Sequence, residues 1–160
     1  MLSIDEFSVG SLAQARPLSL MLPRGQYERP FLIGSKNGKA VAIVLQKDGD
    51  FRFNAFGCEG ADNWSGLLIP GVALQVDEAS LHDLTRRDPP LGSIVRSGTA
   101  LKIVTTLEGW QSQTSFTPVI EDLPDTGSER ACFTRWQIVL GTGTDKRILK
   151  SIDVTPKAEA

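Results

Sequence analysis

A chain of 160 residues, 41% hydrophobic and 22% charged, fits one soluble domain long enough to bury its own core. A net charge of −2 with scattered basic residues offers no concentrated basic face, so nucleic acid is not an expected partner. A single histidine, His82, and two cysteines, Cys58 and Cys132, exclude multi-histidine metal cages, zinc ribbons and two-histidine acid–base pairs.

Residues 1–30 are weakly patterned and read as an arm packed along the domain. Residues 11–15 fit one helical turn, and 18–22 fit a short edge strand. Pro17, Pro23, Gly25 and Pro30 interrupt any longer helix. Asp5 and Glu6 stand where a secretory signal carries basic charge, and no stretch reaches the 18 or more apolar residues of a membrane span. The expected compartment is the cytoplasm, with no membrane partner, and the two cysteines are expected as inert thiols.

A three-strand meander follows. Residues 31–34 form a short apolar run, Asn37-Gly38 supplies a tight hairpin turn, and 40–45 are apolar on both faces, as in a covered central strand. Asp48-Gly49 marks a second turn, after which 51–54 alternate, with Phe51 and Phe53 on one face. Strands are expected at 67–69 and 72–76, parted by Pro70-Gly71. Asp77 is placed to cap a helical turn running to Leu84, with Leu81 and Leu84 buried beneath it. Further strands fall at 93–96, 101–107, 110–116, 133–140 and 147–154, with an acidic loop at 121–130.

Roughly eight to ten short strands with turn residues between them predict an all-β fold. It is expected as a single-domain antiparallel β-sandwich or partly closed β-barrel with one or two short helical turns. The domain spans 1–160, with 1–30 as the packing arm and 155–160 as a frayed tail. The expected core is Val41, Ile43, Leu45, Phe51, Phe53, Val72, Leu74, Val76, Leu101, Ile103, Trp136, Ile138 and Ile148.

Catalytic patterns are sparse. The stretch from Gly34 to Ala40 is one residue short of a phosphate loop and precedes a strand, not a helix. Ser65 lacks a nucleophile-elbow frame, and Asp83, adjacent to His82, is badly placed to orient it. Glu78 and His82 would share a helical face, but one imidazole does not make a metal cage, so no cofactor or metal is expected. Asn63-Trp64-Ser65 is a formal glycosylation sequon without a secretion signal to give it meaning.

The segment 57–66 stands out. It exceeds hairpin length and gathers Glu59, Asp62, Asn63 and Trp64 among three glycines. Trp64 there fits an aromatic contact platform, in competition with a purely structural plug. Trp110, in a polar strand, is a second aromatic of this kind. The expected function is a non-enzymatic binding or interaction module for a protein or a small polar ligand. Its contact residues are drawn from Glu59, Asp62, Asn63, Trp64, His82 and Trp110. Self-association through an edge strand is a further route. The alternative is a small carboxylate-dependent hydrolase or isomerase at a barrel mouth, using Glu59 with Asp62 or Asp77.

Overall fold

In a computed structural model, which describes residues 6–25, 29–46, 51–83, 89–97, 100–107, 110–116, 131–141 and 143–156, the protein is all-β. The first seven strands are β1 (Ser8–Ser11), β2 (Ser19–Pro23), β3 (Phe31–Lys36), β4 (Lys39–Val44), β5 (Ala55–Gly57), β6 (Ser65–Pro70) and β7 (Ala73–Val76). The second seven are β8 (Leu81–Asp83), β9 (Ile94–Ser97), β10 (Ala100–Leu107), β11 (Trp110–Phe116), β12 (Ala131–Phe133), β13 (Arg135–Leu140) and β14 (Arg147–Asp153). Short 3₁₀ turns at Leu12–Gln14, Glu78–Ser80 and Gly143–Asp145 interrupt them.

Two antiparallel sheets result. The large one runs β1-β6-β2-β3-β11-β10-β9-β12-β8, with β4 and β5 branching from β3; the small one runs β14-β13-β7. The branch arises at β3. Strand β4 takes one edge over its whole length, with Lys36 opposite Lys39 across the expected Asn37-Gly38 turn. On the other edge β2 pairs with Phe31 to Ile33, and β11 takes over at Ser35. The β3-β4-β5 branch then curls back onto β10. Asn54 forms an isolated parallel bridge with Thr106, whose N–H donates to the Phe53 carbonyl at 3.0 Å. The circuit β3-β4-β5-β10-β11-β3 is thereby closed, so the architecture combines a small ring with a packed second sheet.

The alternation of β-strands divides the apolar side chains between two faces. Leu32, Val41, Ile43, Leu101 and Ile103 point inward onto Leu74, Trp136, Ile138 and Ile152 of the small sheet. Their neighbours Phe31, Ile33, Ala42 and Met21 point outward, where Leu12, Ala15 and Cys58 cover them in a second cluster. Strand β4 is thus covered on both sides, as its sequence predicted. A third cluster holds Val95, Val104 and Cys132. Both thiols are buried and free, in different clusters.

The structure departs from the sequence expectations at several points. Residues 51–53 are a turn and Asn54 makes only an isolated bridge, so no strand forms there. Val44 faces both Phe53 and Asn54, whose backbones bond it at 2.7 and 2.9 Å, so the pairing bulges there. Phe53 adopts φ +62° and is buried, while Phe51 swings out to 66% exposure. Ile148 is also exposed, because a register shift between Ile138 and Val139 reverses the alternation of β14 and turns Leu149 inward instead. Strand β2 is not an edge but lies between β6 and β3. Val76 is half-buried against the core.

Asp77 does cap a turn, accepting from the Ala79 N–H at 3.0 Å, but the turn ends at Ser80. Leu81 and His82 therefore lie on β8, with Leu81 41% exposed, and Glu78 and His82 do not share a helical face. The single strand expected over 133–140 is two strands in different sheets, with buried Thr134 at the crossing. Its hydroxyl is 2.9 Å from that of Thr155. The expected turn at 47–50, Leu84 and the acidic loop at 121–130 lie outside the described residues.

Candidate functional site

The outer face of β3, β4 and β5 carries an aromatic hollow of about 290 Å³. Phe31 and Val44 are register partners on its floor, and Phe56 projects from β5 on the same side. Alternation forces that direction on Phe56, because its neighbour Ala55 belongs to the inner core. Trp64 arrives from the loop after β5. Two successive turns fold that loop: the Ala61 N–H donates to the Cys58 carbonyl at 3.2 Å, and the Trp64 N–H to that of Ala61 at 3.3 Å. Buried Cys58 pins the near end, and the Leu12 N–H, donating to the Trp64 carbonyl at 2.7 Å, ties down the far end.

The three rings contact one another. Phe31 and Phe56 meet edge-to-face with centroids 5.5 Å apart; Phe31–Trp64 and Phe56–Trp64 are tilted at 5.7 and 6.1 Å. These separations lie within the favourable range for aromatic pairs. Phe31 is buried, but Trp64 is 46% exposed, and among the described residues its indole N–H has no hydrogen-bond partner. Exposed Phe51 also lines the hollow. Among the described residues the polar side chains of the lining are those of Arg29, Gln46 and Asn54. Arg29 is held beside the hollow because the Pro30 carbonyl accepts the Leu45 N–H at 2.9 Å immediately before β3 begins.

Of the residues predicted from the sequence, Glu59, Asp62, Asn63 and Trp64 share this exposed loop, but only Trp64 lines the hollow. Glu59 instead approaches Lys39 Nζ at 3.5 Å, with both side chains largely exposed, a pairing of little energetic weight. His82 is at the opposite end of the large sheet, on β8 opposite Cys132 of β12, with Nδ1 3.0 Å from the Ser80 carbonyl. Trp110 opens β11 opposite Leu107 of β10. Phe31, Phe51, Val44 and Arg29 were not anticipated as site residues. The available signal was the outward series Ala40, Ala42, Val44, whose small side chains leave room above β4 for bulky neighbours.

A second hollow, of about 330 Å³, lies on the outer face of the small sheet, bordered by Gln75, Asp77, Arg135, Gln137 and Asp153. Its two carboxylates do not resemble an acid–base pair. Asp77 is committed to the Ala79 cap and to Arg135, whose Nε and Nη2 both lie 2.9 Å from Oδ2. Asp153 is held below the usual carboxylate range by hydrogen bonds from the Thr155 side chain and backbone, whereas a general acid needs its pKa raised. Among the described residues no group of three or more His, Cys, Asp or Glu side chains is arranged to hold a metal.

Residues 9–160 match a family model described as "Uncharacterised protein y4lG". The chain belongs to the y4lG family. A curated relative in that family, the uncharacterized protein y4lG of Sinorhizobium fredii (strain NBRC 101917 / NGR234), is 42% identical over 149 residues, covering 93% of this chain and 91% of the relative. The matched region includes the residues that line the aromatic hollow. No solved structure matches the chain.

Proposed function

We propose that the chain is a non-enzymatic binding module whose contact site is the hollow between Trp64, Phe56 and Phe51. The observation that carries this reading is convergence. Phe51 and Trp64 are both exposed aromatic side chains, and both line the same hollow. Leaving large rings in water forfeits burial energy at roughly 25 cal/mol per Å² of apolar surface. Such rings gathered at one concave place fit a surface kept for a ligand or partner. The partner is a small ligand or a protein side chain entering the hollow, and neither nucleic acid nor membrane is invoked.

No helix among the described residues is long and apolar enough to cross a membrane. We place the module in the cytoplasm, where its two buried free thiols would persist. No observation favours the carboxylate enzyme, since among the described residues the aromatic hollow has no acidic lining. The test is a ligand-observed NMR fragment screen on the full chain, repeated with Trp64→Ala and Phe51→Ala. Hits that disappear with either substitution, in variants with unchanged circular dichroism, are the expected result. Hits indifferent to both would remove the basis for placing the site here.

A further inference from the structure

Resting on that reading of the hollow, we infer that its ligand is a small aromatic carboxylate, with a one- or two-ring body against Trp64 and Phe51 and its anionic end at Arg29. Size comes first. About 290 Å³ is the liquid volume of roughly ten waters, so the hollow takes a ring system, not an extended chain. The apolar lining from Val44, Phe56, Trp64 and Phe51 suits a flat hydrocarbon face.

Charge decides the rest. Among the described residues Arg29 is the one charged residue of the lining, no carboxylate lines the hollow, and the guanidinium has no partner. The side-chain amides of Gln46 and Asn54 are likewise uncommitted among the described residues and offer N–H donors beside it. A guanidinium with amide donors next to an aromatic wall complements a carboxylate attached to a ring.

Two other aromatic-site chemistries fit poorly. A quaternary ammonium needs rings spread around a central space. Here the rings contact each other at 5.5–6.1 Å, and Arg29 repels a cation. A sugar needs a dense ring of hydrogen-bonding groups, and among the described residues the lining gives Arg29, two side-chain amides and the Trp64 indole N–H.

The experiment is isothermal titration of the full chain at pH 7 with three probes of one shape: 2-naphthoate, the neutral 2-naphthamide and cationic 2-naphthylmethylamine. Naphthoate is expected to bind most tightly, and its affinity to weaken with added salt. Arg29→Gln, which leaves the aromatic walls untouched, is expected to weaken naphthoate by about threefold to tenfold and naphthamide hardly at all. Trp64→Ala or Phe51→Ala should weaken all three. Equal affinity for the three probes, preference for the amine, or a naphthoate affinity unchanged in Arg29→Gln would overturn the carboxylate assignment. Binding that still depends on Trp64 would in those cases leave the hollow itself standing as the contact site. If no naphthyl probe binds, the aromatic-carboxylate class is wrong, and the fragment screen decides separately whether the hollow binds anything.

Discussion

Trp64 and Trp136 illustrate how one residue type takes two roles. Trp136 is buried, belongs to the main core, and donates its indole N–H to the Gly92 carbonyl at 2.8 Å. The plug arrangement that the sequence leaves open for Trp64 occurs at Trp136. Trp136→Ala should therefore cost about 3–5 kcal/mol in a denaturant melt, whereas Trp64→Ala should cost about 1 kcal/mol or less. Cys58 gives a pH-dependent prediction. Burial pushes its thiol from an ordinary 9.0 up to about 11. Between those values the unfolded chain releases the proton and the folded chain keeps it, so stability falls as pH rises from 9 toward 11. The loss attributable to Cys58 should be on the order of 2 kcal/mol, and it should be absent in Cys58→Ala when melts of the two proteins are compared across that range. The burial of Cys58 fits the inert thiol expected from residue type, but the exposure of Trp64 is not legible there. It depends on which side of the 57–66 loop meets Leu12 and Ala15.

Among strands of six or more residues, β10 and β13 are legible by alternation and β4 as a continuous apolar run after a turn signal. Those of three residues, β5, β8 and β12, are not, because a period of two cannot be recognised in so short a run. Bulges defeated the alternation elsewhere. Counting in twos places Phe51 and Ile148 in the core, because it runs across positions where the backbone inserts a residue. The turn before β9 carries a constraint that pattern reading also missed. Gly92 has φ +86°, and a Cβ there would lie 2.3 Å from the Phe53 ring. Its N–H donates to the Val104 carbonyl at 2.8 Å, so the backbone has no slack to move away. Gly92→Ala should destabilise the protein by about 2–4 kcal/mol, read as a lower urea midpoint with unchanged slope. Asp77→Ala removes both a cap and the Arg135 pairing at an exposed site, and should cost about 1–2 kcal/mol by the same measurement.

At the scale of the molecule, the all-β class followed from turn spacing, while the closure of the ring did not. It depends on one backbone hydrogen bond and one bridge between segments about fifty residues apart, which leave no periodic trace in either segment. Thr106→Pro deletes the N–H that bonds Phe53 and should cost about 3 kcal/mol or more. It should also weaken ligand binding, since Phe51, Asn54, Ala55 and Phe56 of the hollow all lie at or beside the seam. The seam has a kinetic meaning as well. The β3-β4 and β10-β11 hairpins each close over a few residues, but the Asn54–Thr106 bridge must bring together distant parts of the chain. It is expected to form after the rate-limiting barrier, so a ligand held there slows unfolding without hastening refolding, and the occupied protein gains lifetime more than speed.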